Sequence, residues 1–225
     1  MTTRITKQRF DNLRSVGGGQ VVEDIELDQC TFVGSSLVQW DDPNPSLVVR
    51  RIRATRCTLD NCTVVGTRFE DVSVEHLAIK GGMLYLNGCV FSRVRISGRI
   101  GPLMAVSPMP KPREKPSPVA EQSIIRAYES IDWALDVSGA EFTDVSLDYV
   151  PGDLVRRDPE TQFLLHRQRL ADLDHRALPI DADIYLSRFE HSPFDSMVAV
   201  APKRSRHFRD LLRILERLRE LGLAE

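Results

Sequence analysis

Long apolar runs are missing from this chain of 225 residues: none approaches the roughly 18 residues of a membrane-spanning helix. The N-terminal stretch MTTRITKQRFDNLRS holds no apolar core either, so no secretory leader and no membrane are expected, and a cytoplasmic location follows. Charge of one sign is missing too. Thirty Lys plus Arg face 32 Asp plus Glu, for a formal net of -2, which gives no general basis for binding nucleic acid through its phosphates. Cysteines number four, at Cys30, Cys57, Cys62 and Cys89, without a CxxC pair and without histidines at zinc spacing. Reduced thiols are expected, and neither a metal nor a disulfide framework. Also lacking are G-x-S-x-G, a phosphate-binding Walker sequence, H-E-x-x-H, a dinucleotide fingerprint and a calcium loop, so no catalytic set and no cofactor are expected. Gly17-Gly18-Gly19 has neither the lysine nor the hydroxyl of a phosphate loop. What remains, 42% hydrophobic and 28% charged residues, suits a folded globular chain.

Residues 23–100 fit neither a helical nor a simple strand period, but they fit a period of five. Leu27, Phe32 and Leu37 lie five apart, each preceded at two residues by Ile25, Cys30 or Ser35. After an interruption the spacing returns at Leu59, Val64, Phe69, Val74, Ile79 and Leu84, with Cys57, Cys62, Thr67, Val72 and Leu77 as companions. A further phase carries Leu84, Cys89 and Val94 with Leu86, Phe91 and Ile96. Five residues turn an α-helix by about 500°, which throws successive positions roughly 140° apart. A flat strand would send every second repeat to the opposite face. A four-sided coil of five-residue sides accommodates both inward positions, and stacking its turns buries a core no single turn could bury. All four cysteines then occupy the minor inward position, where a small hydrophobe fits.

The segment CTLDNCTVVGTRFEDVSVEHLAI resembles the pentapeptide repeat family, and Ala140-Glu141-Phe142-Thr143-Asp144 repeats the motif later. The Asp or Asn usual between the inward pair is replaced by Glu26, Thr31, Thr58, Thr63, Arg68, Ser73 or Ala78, so the repeats are degenerate. The resemblance implies a mainly β fold: a right-handed quadrilateral β-helix, here with α-helical additions. It also implies a duplex-DNA mimic acting on a topoisomerase as one functional reading, because some family members protect gyrase in that way. Residues 1–110 hold 13 basic and 11 acidic residues, a net of +2, which weighs against such mimicry.

The coil is interrupted twice. Gln39 to Ser46, with two prolines, reads as a loop protruding between turns. Gly81-Gly82-Met83 marks a second change of phase. Residues 1–22 read as a lead-in, 23–100 as the interrupted coil, and 101–117 as a proline-rich excursion. Residues 118–150 read as a helix followed by a returning partial coil, and 151–225 as a helical region. Ser117-Pro118 starts the first helix, whose stripe is Ile124, Tyr128, Ile131 and Leu135 and which is expected over or near the coil's end. Asp158-Pro159-Glu160 starts a second, expected over 159–173. Residues 178–202 are ambiguous, with a short helix around Ile184, Leu186 and Phe189 and a strand at Met197–Val200 as the options. Ser205 to Leu221 is amphipathic, with Phe208, Leu211, Leu212, Leu215 and Leu218 on one face, expected to pack on the 159–173 helix or to form a dimer seam.

Three functional classes remain open on these residues. A noncatalytic protein-binding or scaffold protein leads, presenting a rigid surface to an unidentified protein partner. Its candidate partner contacts are Trp40, Asp41 and Asp42 on the first loop and Arg156 and Arg157 before the second helix. For Trp40 the alternative is a lid over the coil, and for the arginines a solvated approach to a helix cap. A topoisomerase-directed mimic is second. An enzyme with a site between coil and C-terminal helices is third; His166 and His175 bracket Asp172 and Asp174, with His191 farther on, and the alternative for them is ordinary surface or interhelical histidines.

Overall fold

The computed structural model describes residues 2–39, 44–108, 117–170, 178 and 181–225. The protein is mainly β, built on parallel sheets with a few helices, an arrangement consistent with a β-solenoid. Its first strands are β1 (Thr3–Thr6), β2 (Arg9–Asp11) and β3 (Arg14–Val16), then β4 (Val21–Asp28), β5 (Thr31–Val33) and β6 (Ser36–Val38). There follow β7 (Leu47–Asp60), β8 (Thr63–Val65), β9 (Thr67–Glu70), β10 (Ser73–Lys80), β11 (Leu84–Asn87) and β12 (Val90–Ser92). The parallel series ends with β13 (Val94–Ile100), β14 (Leu103–Val106), helix α1 (Pro118–Tyr128), β15 (Leu135–Asp136), β16 (Ala140–Phe142), β17 (Val145–Ser146) and β18 (Val155–Arg156). The C-terminal region holds β19 (Gln162–His166), α2 (Arg167–Leu170), α3 (Asp183–Glu190), β20 (Ser196–Val200) and α4 (Phe208–Glu220).

Register shows how the chain returns to itself. Thr3 pairs with Ile25, Ile25 with Ile52, Arg53 with Ser73, Ser73 with Arg95, Val94 with Leu135 and Leu135 with Val155. Each pass takes about twenty residues, lengthened where the 39–46 and 107–134 segments are inserted, and the pairing on either side of an insert is undisturbed.

Four apolar columns run through these passes. One is Ile5, Leu27, Ala54, Val74 and Ile96. A second is Phe10, Phe32, Leu59 and Ile79, with the first two rings stacked at 4.9 Å. A third is Ser15, Leu37, Val64, Leu86 and Ala105. The fourth is Val22, Val49, Phe69 and Phe91, its rings stacked at 5.7 Å. Two residues after a column member the backbone turns left-handed: Asn61 after Leu59, Gly66 after Val64, Asp71 after Phe69. Among the described residues ten such corners are not glycine, each at a cost of about 1 kcal/mol. Ladder bonds hold them there. The N–H of Lys7, Asn12, Gln29, Asn61, Asp71 and Arg93 each donates to a carbonyl of the neighbouring pass.

Several expectations change. Residues 3–16, expected as a lead-in, form β1–β3 and pair with β4–β6. Ile5 and Phe10 keep the spacing of five, but single apolar residues among polar ones carry a weak signal. The segment 101–117 is not an excursion throughout, since β14 continues the stack beside β11 and β17. Residues 109–116 lie outside the described residues. Helix α1 begins at Pro118 as expected, but it lies on the flank rather than over an end. Its Ile124 and Tyr128 are buried beside β12, and the Tyr128 hydroxyl accepts from the Phe91 N–H at 3.3 Å.

Within the stretch expected as a helix over 159–173, Gln162–His166 is β19, antiparallel to β20, and α2 follows it, while residues 171–173 lie outside the described residues. The Asp158 carboxylate accepts from the Glu160 N–H and the Thr161 hydroxyl, closing a turn rather than capping a helix. Gln162 then bonds back to the Val137 carbonyl of the last pass. The strand alternates between two cores, which is why its apolar run is unbroken. Leu164, Val198 and Val200 join the core of the stack. Phe163, Leu165, Met197 and Ala199 join a second core with Tyr185, Phe189, Leu215 and Leu218 from α3 and α4. The last helix therefore packs on this two-stranded sheet and α3. Its Leu215 and Leu218 are fully buried within the chain.

Candidate interaction surface

The two inserted segments meet on one flank. The first is anchored at its base by Gln39, which is buried and whose side-chain oxygen accepts from the N–H of Ser46 at 2.8 Å and of Leu47 at 2.7 Å. Its side-chain nitrogen donates to the Asn44 carbonyl. One amide thus supplies the ladder-like bonds that the loop interrupts. From this base the Asn44 side-chain oxygen accepts from the Ser123 hydroxyl of α1 at 2.5 Å. Helix α1 is in turn fixed to the last pass. The Tyr149 hydroxyl donates to Glu121 at 2.7 Å, and Tyr128 and Tyr149 both meet the Phe194 ring edge-on. Burial pushes both tyrosine hydroxyls up from their ordinary range, and Glu121 adds to the rise at Tyr149.

Of the sequence candidates, Trp40, Asp41 and Asp42 lie outside the described residues. They continue directly from Gln39, so the described base of their loop touches α1. Arg156 is exposed on β18, its guanidinium 4.2 Å above the Trp133 ring. Arg157 lies 3.9 Å from the Glu225 carboxylate, which also meets His166 at 3.7 Å and Arg169. The structure thus gives both arginines partners within the chain. Asp172, Asp174 and His175 lie outside the described residues. Among the described residues no three His, Cys, Asp or Glu side chains gather as metal ligands. Asn44, Ser123, Glu121 and Tyr149 were not singled out from the sequence. A polar helix face and an amide in a loop carry no signal that they meet.

The outer faces of the passes carry charges in register. Arg50 and Arg51 both bond Glu23 at 2.6 Å, Arg51 also bonds Asp24 at 2.7 Å, and Arg56 reaches Asp28 at 2.8 Å. Arg93 bonds Asp71 at 2.6 Å. These guanidinium contacts hold Glu23, Asp24 and Asp71 below the usual carboxylate range. Acidic side chains of one pass are thus matched by arginines of the next, so no uninterrupted negative stripe builds up there.

The thiols are structural. Cys30, Cys57 and Cys62 each lean on backbone carbonyls of their own and a neighbouring pass. Burial pushes the Cys57 thiol up and the Cys89 thiol up to about 12. Thiols so protonated are poor nucleophiles.

No protein-family model, no curated protein and no solved structure matches this chain.

Proposed function

We propose that the chain is a right-handed quadrilateral β-helix of the pentapeptide repeat type that works as a noncatalytic protein-binding scaffold. Left-handed corners every five residues and four inward columns support the fold reading. The observation that carries the functional reading is the contact between Asn44 and Ser123, 79 residues apart in sequence. The described base of the first insert meets helix α1 of the second on one flank, and a preformed surface lowers the cost of binding a partner. Trp40, Asp41 and Asp42 follow Gln39 in sequence and are the partner contacts proposed for this reading. The paired charges on the passes argue for this reading over DNA mimicry, which calls for a focused negative potential.

The test is affinity capture from the source cell, followed by direct binding with the purified partner. Replacing Trp40, Asp41 and Asp42 together by Ala, Asn and Asn should reduce affinity at least tenfold. Arg156→Ala and Arg157→Ala should leave it within about twofold. Equal binding by the triple variant and the native chain would remove the flank from the interface.

A further inference from the structure

Three basic side chains from separate parts of the chain converge on one carboxylate. Arg157 follows β18, His166 ends β19 and Arg169 lies in α2. The Glu225 Oε2 lies 3.9 Å from Arg157 Nη2, while its Oε1 lies 3.7 Å from His166 Nε2 and accepts from Arg169 Nη2. Only the last is a hydrogen bond. The other two contacts exceed the roughly 2.7–3.2 Å of such a bond. Neither the Arg157 guanidinium nor the His166 ring makes a hydrogen bond to another described residue. Yet both side chains are largely covered, 20% and 27% exposed. Donors so withdrawn from water are costly to leave unmatched. Charge is unmatched as well. Two arginines and an imidazole face a single carboxylate, and the neighbouring Arg167 already donates to the Phe189, Ser192 and Phe194 carbonyls.

The shape of the carboxylate explains the poor fit. It offers two oxygens in one plane, and one of them already serves Arg169. A phosphoryl group offers three acceptor oxygens in different directions, so it can meet one donor from each of the three elements. Glu225 is free to yield its place. Its backbone is held independently, the N–H donating to the Leu164 carbonyl at 2.9 Å and the carbonyl accepting from the Leu164 N–H at 3.2 Å. Its side chain is 44% exposed and can swing into solvent without unpairing that backbone. Beside the cluster an open surface pocket lined by His166, Arg167, Gln168, Arg169 and Asp195 leaves room for the rest of a ligand.

From this geometry we propose that Arg157, His166 and Arg169 bind the phosphoryl group of a small phosphate monoester, with Glu225 as a tethered competitor that the ligand displaces. The inference is separate from the flank surface and does not depend on it.

The test uses the full chain at low ionic strength, where exposed charges are least screened. Inorganic phosphate and glucose 6-phosphate, followed by calorimetry and by NMR of the His166 ring, should each bind one per chain. Glucose should not bind, and acetate should bind far more weakly than phosphate. Arg157→Gln and Arg169→Gln should each weaken glucose 6-phosphate about fivefold. Glu225→Gln should tighten it about threefold, which the loss of a merely structural ion pair would not do. Arg51→Gln, which removes a cation held elsewhere by Glu23 and Asp24, should leave it unchanged. Circular dichroism should be the same for all four variants. Absence of saturable binding by both phosphates would overturn the site. So would binding that leaves the His166 ring unshifted or that Arg157→Gln and Arg169→Gln do not alter. Unchanged or weaker binding by Glu225→Gln would overturn the displacement. Acetate or glucose binding as tightly as glucose 6-phosphate would overturn the phosphoryl assignment.

Discussion

Leu27 and Val137 both belong to the inward-facing apolar set of the stacked strands, yet Val137 is sealed and Leu27 is only partly buried. The contrast extends to whole passes. In the first two, Ile5, Phe10, Val22, Ile25, Leu27 and Phe32 all keep some exposure. In the last, Leu135, Phe142, Leu147 and Val150 keep 1% or less. The backbone pairing is parallel in both regions. What differs is the cover. The last pass lies under the two-stranded sheet of β19 and β20, with Leu164, Phe194 and Val198 filling its open face. Among the described residues nothing lies over the first. A repeat therefore specifies the direction of its side chains, while burial depends on what lies beyond the final repeat.

The largest expected effect tests that difference in cover. Phe142→Ala should cost about 3–5 kcal/mol, as a fully enclosed ring does. Phe10→Ala, stacked on Phe32 but open at the first pass, should cost less than about 2 kcal/mol. Chemical denaturation of the two variants measures both, and equal costs would abolish the distinction. Next comes the seam between stack and cap. A Cβ at Gly152 would lie 2.7 Å from the Met197 backbone nitrogen and 2.6 Å from Leu164. Gly152→Ala should therefore lower stability by about 1–3 kcal/mol. It should also raise hydrogen exchange in β15–β17 toward the rate of β1–β3.

Acid should separate the regions by sign. Glu23, Asp24 and Asp71 have folded values below their unfolded ones. Their stabilisation is complete above the ordinary carboxylate range and is lost as pH falls through the depressed values. Asp148, in the last pass, is shifted the other way: burial raises its carboxyl, partly offset by the Ser146 hydroxyl. Its contribution is greatest below its unfolded value and is lost as pH rises through the folded one. Asp148→Asn should therefore raise Tm at neutral pH and leave it nearly unchanged in acid. Arg93→Gln should lower Tm at neutral pH and do less below the carboxylate range. Thermal melts across pH check both signs. The smallest effect concerns a corner: Gln29 sits at φ 56° on the exposed surface, and Gln29→Gly should stabilise by about 0.5 kcal/mol in the same denaturation assay.

Much of the strand pattern was legible because side-chain direction follows the five-residue spacing. Leu59, Val64, Phe69, Val74 and Ile79 all fall on the four columns. Equal intervals of 27 residues separate Cys30 from Cys57 and Cys62 from Cys89, yet the two pairs are not equivalent. Cys30 and Cys57 are neighbours across a pass, as the bond from the Thr58 N–H to the Cys30 carbonyl shows. Cys89 instead adjoins the Val90–Arg68 pair, because extra residues near Gly81 and Gly82 reset the register. Asp158-Pro159-Glu160 misled for another reason. A carboxylate that closes a turn and one that caps a helix use the same residues, and only the two cores on either side of Phe163 and Leu164 decide between them. On the flank, Trp40, Asp41 and Asp42 lie outside the described residues. The contact that anchors the flank, Asn44 with Ser123, depends on how far two inserts reach, which no local pattern encodes.

The one-sided cover also limits what the strands can add. A parallel edge can template a further strand only where its N–H and C=O groups are unpaired, and among the described residues β1, β2 and β3 each pair on one side only. In the language of polymer chemistry that edge is a reactive end group: coupling through it would join two copies first pass to first pass.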